Sequence, residues 1–177
     1  LQFHHELFPI YSREFGFIEK TDDTDQSAVL DQFDRIRREI EDLERKHQNH
    51  KDFQLLVLRF LYLEGRYAIR TGNYQQGMDN IQQVIASAKE LQQMDFLLEG
   101  YRQMIYYCIQ TENIPEMRYY TELALDASVQ ANNHEAIAMN LRLKGLYHLM
   151  IGDEEQSLRH LYQSIDCFSL TASLRSK

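Results

Sequence analysis

The sequence predicts an all-α protein built from helical hairpins at an interval of 40 residues, and three observations carry that expectation. Only two prolines and seven glycines occur in 177 residues, so helix breakers are rare. Tyr67, Tyr107 and Tyr147 fall on one register of 40, as do Leu61, Tyr101 and Leu141. Three segments then restart in step, at Asn73 with Gln76, Asn113 with Glu116 and Asp153 with Gln156. Each puts Asn or Asp where an N-cap side chain accepts from an orphan amide, and an amide or acid three residues on, able to reach back.

Each element follows from this register. Breaks at Thr71-Gly72, Thr111-Glu112 and Ile151-Gly152 close the first helix of each hairpin. Pro115 sits in a first turn, where its missing amide is not needed. Second helices align Gly77, Met117 and Ser157, then Ile81, Thr121 and Leu161, then Ile85, Leu125 and Ile165. Helices are expected near 52–70, 74–90, 95–110, 114–130, 134–150 and 154–169, with short connections that make neighbours antiparallel. Residues 170–177 show no clear capping helix, so self-association or a further repeat is expected to cover the last apolar face.

Residues 1–50 form a separate N-terminal segment, an incomplete leading repeat or a dimerisation helix, ahead of a repeat domain over 51–177. Phe33, Ile36, Ile40, Leu43 and His47 make a narrow seam along a helix over 27–48. Asp31/Arg35, Asp34/Arg38, Glu41/Arg45 and Asp42/Lys46 put acid four residues before base, so Arg35, Arg37 and Arg38 read as a neutralised, solvated face. The aromatic-rich stretch 1–18 (Phe3, Phe8, Tyr11, Phe15, Phe17) is expected to pair with that helix through a polar connector over 21–25.

Composition and motifs exclude several function classes. With 19 basic and 27 acidic residues the net charge is -8, which disfavours phosphate-backbone binding by this segment. No apolar run is long enough to span a membrane. Cys108 and Cys167 lie in different helices outside any metal-ligand spacing and read as reduced thiols of a cytoplasmic protein. No nucleotide loop, zinc-protease helix or nucleophile elbow occurs, so no catalytic residue, cofactor or metal is assigned. His4-His5 and the pair His47 and His50 lack companion ligands; His148 and His160, placed on different repeats, read as packing or surface residues.

Leu61-x-x-x-Gly65 with Gly72-Asn73-Tyr74 and Gly77, and Leu141-x-x-x-Gly145 with Gly152-Asp153 and Ser157, resemble the tetratricopeptide (TPR) repeat. Ile105 and Met117 depart from it in the middle copy. The resemblance implies a right-handed TPR-like solenoid of about three repeats of 40 residues, preceded by an N-terminal helix pair. First helices would line a concave groove, placing there Arg59, Tyr62, Arg66, Glu99, Arg102, Tyr106, Met139, Asn140, Arg142 and Leu146. Arg59, Tyr62, Arg66, Arg102, Tyr106, Asn140 and Arg142 form the expected peptide- or partner-binding set, suited to an acidic peptide or a C-terminal carboxylate. The 40-residue repeat length also resembles the ligand-sensing regions of Gram-positive peptide-responsive regulators (the Rap/Rgg/NprR/PlcR/PrgX group). That implies a homodimeric quorum-sensing region of a transcription regulator, meeting DNA only through an upstream domain. A non-switching interaction scaffold is the alternative.

Overall fold

The computed structural model describes residues 26–175. Seven helices follow one another among them, with no strand. They are α1 (Gln26–His47), α2 (Lys51–Arg70), α3 (Tyr74–Glu90), α4 (Met94–Gln110), α5 (Ile114–Gln130), α6 (His134–Met150) and α7 (Glu154–Arg175). Helices α3 to α6 each hold 17 residues. Each helix packs against its neighbours in the chain, and α4 also touches α2 and α6. None of the described helices is long and apolar enough to cross a membrane.

One turn geometry recurs between the helices from α2 to α7. Gly72, Gln92, Glu112, Asn132 and Gly152, spaced by 20 residues, all have positive φ, from 49° at Asn132 to 84° at Gly72. The next residue in each case donates its amide to a carbonyl five residues back: Asn73 to Ala68 at 2.8 Å, Asn113 to Cys108 at 2.9 Å, Asp153 to His148 at 2.9 Å. This is the Schellman closure, in which a left-handed residue lets the chain return over its own last turn. The closing residue is also the N-cap of the following helix, so one three-residue turn ends one helix and starts the next.

That double use changes the expected caps. The cap amide is already committed to the preceding helix, so the residue three positions on cannot take it. Glu116 instead accepts from the Asn113 side-chain amide at 2.6 Å, and Gln76 from that of Asn73 at 2.7 Å. Asn113 and Asp153 still accept from the amides of Glu116 and Gln156, at 3.4 and 3.1 Å. Asn73 makes no such cap bond.

Packing follows the sequence rows. Gly65 and Gly77 mark a close crossing of α2 and α3: a Cβ at Gly77 would lie 2.9 Å from the Ile69 amide nitrogen and 3.1 Å from the Gly65 carbonyl. In the middle copy Ile105 and Met117 are wholly buried instead, inside a cluster with Ile81, Met104 and Cys108. Larger side chains there fill the space that glycine closes by backbone approach.

The seam of α1 is covered by α2: Phe33, Ile36 and Ile40 pack with Phe53, Leu56, Phe60 and Leu63. Val29 extends the same seam by one turn. The solvated basic face expected on α1 is corrected at Arg37, which pairs with Asp34 and reaches across to Glu64 on α2. Asn80 on α3 donates to the other oxygen of that buried carboxylate at 2.8 Å, tying three helices together. None of the four expected acid–base pairs four residues apart closes, as befits exposed long side chains that gain little from pairing.

The C-terminal end also differs: α7 runs through Arg175, past the position near 172 where the 20-residue interval would place another turn. Leu158, Tyr162 and Ile165 on it are more than half exposed. The expectations for 1–18 and for the connector over 21–25 lie outside the described residues.

Candidate functional site

Helices α2 and α4 bring four of the seven expected binding residues to one hollow. Tyr62 and Arg66 are a turn apart on α2, as are Arg102 and Tyr106 on α4, so each pair shares a helix face. Together with Arg70, Gln103 and Gln110 they line a cavity of about 550 Å³. Glycine at 100 allows the approach of α4 that places them: its missing side chain leaves room for Ile85, whose Cγ1 would stand 2.7 Å from a Cβ there.

A hydrogen-bonded cluster forms one wall. The Tyr62 hydroxyl donates to Glu99 Oε2 at 2.9 Å, and Arg102 pairs with the same oxygen. Burial pushes the Tyr62 phenol above its ordinary range, the Glu99 carboxylate adds to this, and Arg66 opposes it. Tyr62 therefore stays protonated and keeps its donor on Glu99. Its ring meets Phe96 edge-on at 6.1 Å, which fixes the phenol from the other side. Arg66 forms no ion pair among the described residues, so its charge faces the cavity uncompensated by a carboxylate at contact.

A smaller hollow of about 290 Å³ continues between α4 and α6, lined by Glu99, Arg102, Met139 and Asn140 among others. Asn140 is buried there, and its amide donates to the Ala124 carbonyl of α5 at 2.9 Å, so that donor holds two helices together. Arg59 lies half-buried on α2 and Arg142 is exposed on α6; neither lines these two hollows. Glu99 makes the surface less basic than the arginines alone suggest.

Sequence reasoning missed Arg70, Gln103 and Gln110. The first and last were legible as the next four-residue steps, 62-66-70 and 102-106-110, on the same faces. Gln103 is 5% exposed and sits on the shoulder of its helix, where no polar residue is expected.

Elsewhere, His50 caps α2 by accepting from the Asp52 amide at 3.3 Å. His148 and His160 are corrected: they lie on successive helices, α6 and α7, and their rings face each other with centroids 5.1 Å apart. No group of three or more His, Cys, Asp or Glu side chains gathers as a metal site among the described residues. Compared with family models, curated proteins and solved structures, the chain matches none.

Proposed function

We propose that residues 51–177 form a right-handed TPR-like solenoid of about three helical hairpins whose α2–α4–α6 face binds a peptide. The single observation that carries this reading is the cavity of about 550 Å³ in which Tyr62, Arg66, Arg102 and Tyr106 converge. Two guanidinium groups and two aromatic rings suit an acidic peptide or a C-terminal carboxylate, which arginine grips through paired N–H donors. The uniform turns support the solenoid, because a fixed step between helices stacks hairpins in one sense. On this reading the chain is the ligand-sensing, dimerising region of a peptide-responsive transcriptional regulator. Peptide binding would favour one helix arrangement over another. The exposed Leu158, Tyr162 and Ile165 support a homodimer contact along α7.

The test is selection from a randomised acidic heptapeptide library bearing free C-terminal carboxylates. The protein should enrich a family of sequences, and amidation of their C-termini should weaken them. Arg66→Gln with Arg102→Gln should lose at least about tenfold in affinity, from two charge-assisted contacts. Glutamine is preferred to glutamate at 102, since a second carboxylate beside Glu99 would unsettle the wall itself. Enrichment that ignores both arginines would overturn the assignment.

A further inference from the structure

A second hollow of about 550 Å³ lies between α5, α6 and α7, and shares no lining residue with the two described above. Forty residues earlier in the chain the same register is closed by core. Ile81, Met104 and Cys108 there are fully buried, Tyr120 is 9% exposed, and Leu123 packs against them. In the hollow those five positions become Thr121, Lys144, His148, His160 and Gln163. The backbone plainly tolerates apolar residues at this register, so the fold does not require the polar ones.

Their presence is also unfavourable for stability. Thr121 is 1% exposed and its hydroxyl has no hydrogen-bond partner. His148 Nδ1 is buried without a hydrogen bond, its nearest carboxylate being Asp153 Oδ2 at 3.4 Å. A buried polar group left without a hydrogen bond is a cost to folding. Five polar replacements gathered in one cavity, two with unpaired atoms, break the local packing rule together, and such departures mark functional sites.

The charge is cationic on an acidic chain. Lys144 and Arg159 line the hollow and form no ion pair among the described residues. Arg118 is answered by Glu122 at 3.2 Å. His160 Nδ1 is held by Gln163 Oε1 at 3.1 Å, which fixes its ring against His148.

We propose that this hollow is a binding site for a small anionic ligand, recognised through a carboxylate or phosphate group. Lys144 and Arg159 supply the charge, and the imidazoles of His148 and His160 supply oriented hydrogen bonds. The site stands apart from the α2–α4 cavity, so it holds whether or not that cavity takes a peptide.

The imidazole resonances of His148 and His160 report the test directly. Inorganic phosphate and citrate are titrated separately into the intact protein, with chloride holding ionic strength constant. Saturable shifts of both histidines with either probe are expected; phosphate alone or citrate alone then identifies the headgroup. Lys144→Met with Arg159→Gln should weaken binding about tenfold or more. Methionine is the residue at the earlier register, so helicity should persist; if it does not, Arg159→Gln alone, at an exposed position, makes the comparison. Shifts that stay linear with both probes to about 10 mM, which means affinity weaker than millimolar, or that are unchanged in the variants, would overturn the proposal.

Discussion

Five turns between the helices share one left-handed backbone geometry, yet glycine occupies only Gly72 and Gly152, leaving Gln92, Glu112 and Asn132 at positive φ. An L-residue in this region carries a penalty of about 1–2 kcal/mol, because its Cβ crowds the carbonyl. Glycine escapes that penalty but loses about 0.4–1 kcal/mol through its freer unfolded chain. The difference makes Gln92→Gly and Glu112→Gly each stabilising by about 0.5–1 kcal/mol, and Gly72→Ala destabilising by the same amount. The Gly72 arm is clean, since a Cβ there would meet nothing within 4 Å, so only backbone conformation changes. Asn132→Gly should gain less, because asparagine tolerates the left-handed region best among the three. Urea unfolding at constant m-value reads these differences as shifts in midpoint, with 1 kcal/mol worth about 2–4 °C in melting temperature for a chain of this size. The glycine replacements lie 20 residues apart in separate turns and should add. A neutral Gly72→Ala, or a Gln92→Gly that destabilises, would refute the reasoning.

Glu64→Ala should destabilise by about 2 kcal/mol, because it strands Asn80 and leaves Arg37 with Asp34 alone beside a missing buried carboxylate. Hydrogen exchange should speed most in α1, which the Arg37–Glu64 pair ties to α2; uniform acceleration would count against it. Burial and the Glu116 charge push the Cys108 thiol up to about 12, so near neutral pH a thiol reagent should label the half-buried Cys167 first and reach Cys108 only on unfolding. Fast labelling of both would contradict this. Burial, with the charges of Lys144, His148 and Arg159, holds His160 below its ordinary range. The unfolded chain therefore takes up the proton first: stability is intact above about pH 6.5, falls as pH drops through the lowered folded value, and then levels. His160→Gln should flatten that slope in melting scans; an unchanged slope would assign it to other groups. Glutamates at 158 and 165 (L158E with I165E) should convert a dimer into monomer in light scattering, and a wild type that is monomeric at high concentration would remove the dimer reading.

Most helix boundaries were legible because the turn chemistry is local. Asn113 and Asp153 start helices by accepting from a first-turn amide, a contact spanning three residues that sequence alone displays. The missed relation was between two turns in one: Asn73, Asn113 and Asp153 give their own amides to the helix before, which no capping rule applied to a single helix anticipates. Arg37 was misplaced for a related reason. Its second partner, Glu64, lies 27 residues away, and only the packing of α1 on α2 brings that carboxylate to Arg37 beside Asp34 of its own helix. The residues of the α2–α4 cavity were named from the repeat resemblance, and the Glu99–Arg102 pair, three residues apart on α4, was legible in the sequence, while the hydrogen bond from Tyr62 to Glu99 needed the packing of α2 on α4.

The same limit explains why the hollow at α5–α7 escapes a motif search and yields to the repeat. No spacing of Thr121, Lys144, His148, His160 and Gln163 matches a known site, and each alone reads as an ordinary surface or packing residue. Set against the register 40 residues earlier, however, all five replace apolar side chains that pack in one core cluster. A repeated backbone supplies its own reference state: the earlier copy shows what stability asks of each position, and the later copy shows where something else is asked. By that comparison the clearest departures from packing lie on α5, α6 and α7. The α2–α4 face is instead built on residues that the repeat resemblance already suggested.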